Sequence, residues 1–171
     1  MSRDEKGFAE FFQQSWDPCL KAVVAITGDV AQAEEQVAEA FARAWASWRK
    51  LRRHPAPKAW VVRTALNAGA SQWRRRAREL PLADHDQEAP DRPRTGLDGV
   101  LLRALRRLPP RQREVIVLRV FLDLDIETTA RQLEITPGTV RAHLSRAVTT
   151  LRNELAQANI METDPCTTTI R

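Results

Sequence analysis

The sequence predicts an all-helical protein organised as two small domains. Three observations carry this reading. Apolar residues recur at three- and four-residue spacing along most of the chain, no segment alternates apolar and polar residues, and a Pro- and acid-rich stretch breaks the pattern near the middle. The chain has 171 residues, 43% of them hydrophobic, which allows one domain or two small ones with modest cores. The expected division is a domain over 1–78, an acidic, Pro-containing flexible linker over 79–97, a second domain over 98–156, and a polar tail over 157–171.

The elements follow in order. Phe8, Phe11, Phe12, Ser15, Cys19, Val23 and Ile26 form one face of a first helix, which Thr27-Gly28 ends. Asp29 is a candidate N-cap for the next helix, with Gln32 three residues on as in a capping box. That helix turns Ala33, Val37, Phe41, Ala44, Trp45 and Trp48 inward and shows Glu34, Glu35 and Glu39 on its other side. The run RKLRRHPAP, residues 49–57, is basic with two prolines and reads as a loop. A helix over about 58–78 closes on Arg74, Arg75 and Arg76. After the linker, a short helix stops before Pro109-Pro110, and another covers 111–122 with Val115, Leu118 and Phe121 inward.

Charge is distributed unevenly. The net of +5 conceals −4 over residues 1–47, +10 over 48–78, −4 over 79–99 and +4 over 100–155. Two basic segments separated by acid suit a chain that touches a polyanion at two places.

Residues 125–155 have the form of a helix-turn-helix. Asp125 can cap a first helix whose Ile126, Ala130 and Leu133 point inward, and a three-residue turn follows. Thr136 caps the second helix, and Pro137 opens it at the position where a missing N–H costs nothing. Glu134 stands in the turn, where a left-handed backbone would cost about 1 kcal/mol. With the stripe Val140, Leu144, Val148, Leu151, Leu155 inward, Ala142, Ser145, Arg146 and Thr149 fall on the opposite face and Arg141 on its shoulder. A recognition helix reads the major groove from such outward, N-terminal residues. Arg141 and Arg146 are the candidates for guanine or phosphate contact.

In the first half, an acidic helix face is followed by the basic loop and by a helix carrying Trp60, Asn67, Trp73 and the arginine run. Aromatics interleaved with cations suit single-stranded or melted DNA, because bases stack on rings while arginines follow the backbone. Asn67, polar amid VVRTALNAGA, needs a partner or a ligand.

Together the halves resemble the extracytoplasmic-function (group four) sigma factors. AEEQVAEAFARAW (33–45) and KAWVVRTALNAGASQWRRR (58–76) are similar to that family's region two. LRRLPPRQREVIVLRVFLDLDIETTARQLEITPGTVRAHLSRAVTTLR (105–152) is similar to its region four. The resemblance implies a factor that binds core RNA polymerase and directs promoter-specific initiation. Glu34, Glu35 and Glu39, with Phe41, would dock on the clamp helices of the largest subunit, and the flap would be a second contact. Arg49, Arg52, Arg53, Trp60, Arg63, Asn67, Ser71 and Arg74 would recognise and hold the minus-ten element, with one non-template base flipped out. Arg141, Ala142, Ser145, Arg146 and Thr149 would read the minus-thirty-five duplex. An anti-sigma factor is a further partner of this class. Ala38 stands where the family usually has Gln, and Ser145 where a larger residue is common, so promoter specificity is not inherited.

Two other readings compete with this one. TPGTVRAHLSRAV also resembles the output helix-turn-helix of response regulators, but the first 78 residues show neither a strand pattern nor a phosphoacceptor carboxylate cluster. A nuclease would need clustered carboxylates or histidines, and the most basic segment holds no acid at all. No catalytic residue, metal site or cofactor is expected. Cys19 and Cys166 make neither a disulfide framework nor a metal spacing, and Cys19 reads as a small buried apolar residue. Charges precede the first apolar run and no apolar stretch is long enough to span a bilayer, so no membrane partner and a cytoplasmic location are expected.

Overall fold

The computed structural model describes residues 3–79 and 97–162, with side chains over 3–68 and 97–158. Of the linker expected over 79–97, residues 80–96 lie outside these residues, as do residues 163–171 of the tail expected over 157–171, whose first residues, 157–162, are instead the end of the last helix. Every regular element among the described residues is helical.

Helix α1 spans Arg3–Thr27 and buries Cys19, Leu20 and the run Ala22–Ala25. It ends at Gly28, whose φ of +77° needs a residue without a Cβ and whose N–H donates to the carbonyl of Val24 (2.7 Å). Helix α2 spans Val30–Ala46, and Asp29 caps it by accepting from the Gln32 N–H at 2.9 Å. The loop predicted over 49–57 is shorter than expected. Residues Trp48–Leu51 form a single turn, α3, because Trp48 and Leu51 are both buried and a helical turn sets them on one side. Helix α4 spans Pro57–Glu79, with Pro at its first position, and packs against α1 and α2 as a three-helix bundle.

In the second half, α5 (Gly99–Arg107) is capped by Asp98, which accepts from the Val100 N–H. Helix α6 (Pro110–Ile116) does not run on unchanged to 122. It widens into a π turn over Val117–Phe121, closed by the Leu122 N–H donating to the Val117 carbonyl at 3.3 Å. Helices α7 (Ile126–Leu133) and α8 (Pro137–Glu162) follow, with α8 lying against α5, α6 and α7.

The two halves share apolar contacts. One continuous buried cluster takes Val23, Val24 and Ala25 from α1 together with Leu105, Leu108, Val117, Leu118 and Leu122 from the second half. A smaller cluster around Val115, Ala130 and Val140 holds the helix-turn-helix. Arg113 crosses the seam. Its Nη1 donates to the carbonyl of Ile26 (3.2 Å), and its Nη2 to those of Arg106 (2.8 Å) and Leu108 (3.1 Å). A cation therefore meets carbonyls in the last turns of both α1 and α5, the ends that carry partial negative charge. Burial lowers the guanidinium's pKa from its ordinary value, with Arg106 adding to the effect and Glu114 opposing it.

Candidate nucleic-acid interfaces

Helix α7 starts at Asp125, whose carboxylate accepts from the Thr128 backbone N–H (2.6 Å) and hydroxyl (3.1 Å). Those bonds, the backbone one first, hold the Asp125 carboxyl below its usual range. The helix ends at Glu134 in the left-handed conformation (φ 56°, ψ 42°), where the Ile135 N–H closes back on the Ala130 carbonyl. Thr136 Oγ1 then accepts from the Thr139 N–H (3.1 Å) and exchanges a hydrogen bond with the Thr139 hydroxyl. Both caps expected from the sequence are in place, and Glu134 takes the left-handed conformation in spite of its cost. They fix the angle at which α8 leaves α7.

On α8, Val140 and Ala147 are fully buried, so the helix has one defined inner face. Arg141, Ala142, Ser145, Arg146 and Thr149 are all exposed on the other. The Thr149 hydroxyl donates to the Ser145 carbonyl, leaving its oxygen outward as an acceptor. Arg141 stands 3.8 Å from Glu127 at the start of α7. Both groups are 60% exposed, so the contact is screened and weak, and the guanidinium is available to a stronger anion.

In the first half, Arg49, Arg52 and Arg53 are exposed at and after α3. Asp4 of α1 reaches two of them, with Oδ1 2.9 Å from Arg52 Nη1 and Oδ2 3.5 Å from Arg49 Nε. Trp60 is half-buried, and Arg63 and Asn67 are exposed on α4. Trp60, Thr64 and Asn67 recur at helical spacing and line an open cavity of about 410 Å³ with Arg43, Ala46 and Ser47 of the α2 end. Arg63 and Asn67 also border a cleft of about 350 Å³ facing Gln132, Leu133 and Glu134 of the helix-turn-helix. Ser71 and Arg74 belong to α4, but their side chains lie outside the described residues.

Two expectations need correction. Phe41 cannot touch a partner, because it is 2% exposed under the rings of Phe11, Phe12 and Trp16, with centroids 5.0–5.8 Å away. It shapes the α1–α2 contact instead. Trp45, expected inward, is 46% exposed. The stripe Val37, Phe41, Ala44 already fills the inner face, and Trp45 lies one residue, or 100°, past it. Of the acidic face, Glu34 and Glu39 are half-buried and Glu35 exposed, and Glu39 pairs with Arg43 one turn on. Cys19 is buried as expected, and burial pushes its thiol up to about 12 against a small opposing effect of Lys58.

Among the described residues no group of three or more His, Cys, Asp or Glu could hold a metal ion, and no helix is long and apolar enough to cross a membrane. Residues 3–79 hold no strand, so the α/β receiver of a response regulator is not there.

Comparison with known proteins assigns this helical bundle followed by a capped helix-turn-helix to a two-region transcription initiation factor. Residues 16–79 match the family Sigma-70 region 2, and residues 98–151 match Sigma-70, region 4. The chain is 30% identical over 162 residues to the RNA polymerase sigma-E factor of Streptomyces coelicolor, covering 90% of this chain and 88% of that one. It is 31% identical over 144 residues to the ECF RNA polymerase sigma factor SigL of Mycobacterium tuberculosis, covering 79% and 81% respectively. Its fold is similar to that of the sigma factor RpoE of Bartonella quintana, solved in complex with the anti-sigma factor NepR, with a TM-score of 0.66 at 22% identity over 88% of this chain and 98% of that one. The chain belongs to the extracytoplasmic-function sigma factors of bacterial RNA polymerase. It acts in promoter-specific transcription initiation with core RNA polymerase and promoter DNA.

Proposed function

We propose that the outer face of α8 reads the minus-thirty-five duplex while the cavity between α2 and α4 captures one unstacked base of the minus-ten element. The observation that carries this is the common exposure of Arg141, Ala142, Ser145, Arg146 and Thr149 on one face of a helix whose start is capped by Thr136. The small Ala142 and Ser145 let the backbone approach base edges closely, and the two arginines supply the donors. In the cavity, Trp60 offers a ring, Asn67 an amide and Arg43 a cation. Arg49, Arg52, Arg53 and Arg63, with Ser71 and Arg74 further along α4, follow the strand.

The work done is thermodynamic. Extruding a base costs a few kcal/mol, and stacking in the cavity offsets part of that. Catalysis is no part of it; the chain supplies binding energy and core polymerase the chemistry. Glu34, Glu35 and Glu39 dock on the clamp helices of the largest subunit, and residues 98–156 on the flap. Residues 1–78 and 98–156 are the two functional domains, joined by 79–97. The protein works in the cytoplasm, and an anti-sigma factor is the partner that restrains it.

Promoter-specific run-off transcription by core polymerase supplemented with the purified chain tests the reading. Arg146→Ala should weaken minus-thirty-five recognition by about 1–3 kcal/mol and leave assembly with core polymerase intact. Loss of assembly in that variant would show that the outer face of α8 is a protein contact.

A further inference from the structure

Trp45 is a large aromatic left half-exposed in a fold that buries its neighbours. One side of its ring rests on Phe8, with centroids 5.0 Å apart, and Phe8 is itself held edge-on by Trp48 at 5.4 Å. The ring is thus fixed from behind, and a ligand stacking on its front would immobilise little that is not already ordered. That front opens on a cavity of about 460 Å³ lined also by Arg49 and Lys50, with Asp4 and Glu5 closing it on the α1 side. Asp4 is taken up by Arg49 and Arg52, and Lys50, exposed on the α3 side, is a cation there in no ion pair among the described residues. Ala46 and Ser47 form a wall common to this cavity and to the one lined by Trp60 and Asn67.

We propose that the exposed face of Trp45 is a second stacking platform, taking the nucleobase next to the one held between α2 and α4, while its phosphate runs along Arg49 and Lys50. The proposal rests on the reading that the Trp60–Asn67 cavity holds an unstacked base. A strand leaving that cavity crosses Ser47 and meets Trp45 at once. Stacking on an indole tolerates any base, so this platform contributes affinity and strand direction rather than sequence preference.

The test uses full-length protein assembled with core polymerase on fork-junction promoter DNA whose non-template strand carries one abasic site, moved stepwise through the minus-ten element. Wild type should lose affinity at two adjacent positions. Trp45→Leu keeps an apolar contact on Phe8 but removes the stacking face. It should bind intact DNA about tenfold more weakly and lose its sensitivity at one of the two positions, while Trp45→Phe keeps most of both. Asn67→Ala should lose sensitivity at the other position. The proposal is overturned if Trp45→Leu leaves the abasic profile unchanged, or if it weakens assembly with core polymerase in the absence of DNA, since the ring is then a protein-docking surface. If no abasic position matters in wild type, base capture itself fails, and the platform with it.

Discussion

Glu134 shows how one side chain can sit against local preference to serve the geometry around it. Its left-handed backbone (φ 56°) costs an L-residue about 1–2 kcal/mol, which glycine would avoid. The tight turn needs that conformation to bring Ile135 back onto α7 and to release the chain toward the Thr136 cap. Glu134→Gly should therefore raise the stability of the chain by about 0.5–1 kcal/mol, read as a higher urea midpoint, with minus-thirty-five affinity unchanged. Asp123 carries the same strain at φ 52° just after the π turn, and Asp123→Gly should act in the same direction. Arg113 is the opposite case, a residue whose two terminal nitrogens are both committed to backbone carbonyls. Arg113→Ala leaves the carbonyls of Ile26, Arg106 and Leu108 without their charged donor and should cost about 2–3 kcal/mol. Arg113→Lys should recover only part, because a single ammonium cannot reproduce the planar fork.

Among the elements, α7 depends on a titratable cap. The folded state holds Asp125 below its ordinary pKa, so the ionised carboxylate contributes stability above the unfolded value near 4, and that contribution is lost as pH falls through the folded value. Asp125→Asn keeps an acceptor for the Thr128 N–H but does not titrate. The stability difference between wild type and this variant should be constant above about pH 5 and shrink in more acidic solution, as measured by urea unfolding at stepped pH. The elements also show how far periodicity carries. The spacing that places Val140, Leu144 and Val148 on one face of α8 also places the five outward residues, so that exposed face was legible in full. The run Val115–Leu124 is apolar at nearly every position, and a run without polar punctuation has no phase. It therefore read as one plain helix, and the π turn left no mark. Trp45 was legible in principle. With Ser47 breaking the helix after Ala46, Trp45 and Trp48 belong to different elements and have no reason to share a face. The single turn α3 was hidden by the basic residues around Leu51.

For the whole molecule, the seam between the halves is what the sequence concealed. Leu105, Leu108, Val117 and Leu122 read equally well as the private core of a small second domain, and nothing in their spacing says that Val23 and Val24 lie against them. Gly28 belongs to this scale too. A Cβ there would lie 3.1 Å from the Arg106 side chain as well as forcing a φ of +77° on an L-residue. Gly28→Ala should cost about 1–2 kcal/mol and loosen both halves together. A shared core also predicts a single cooperative unfolding transition, with Trp fluorescence, which reports the first half, and helical ellipticity, which reports both, falling at the same denaturant concentration. Two separated transitions would mean that each half is stable alone.

The same seam bears on the need for an unbroken chain. Apolar burial and the Arg113 bonds act between α1 and the second half directly, whatever joins them in sequence. Polypeptides 1–79 and 97–171, produced apart and mixed, should associate as a complementing pair and elute together in gel filtration. A sigma factor able to be reconstituted from two pieces could then have the tie between its promoter-reading halves cut, lengthened or replaced at will.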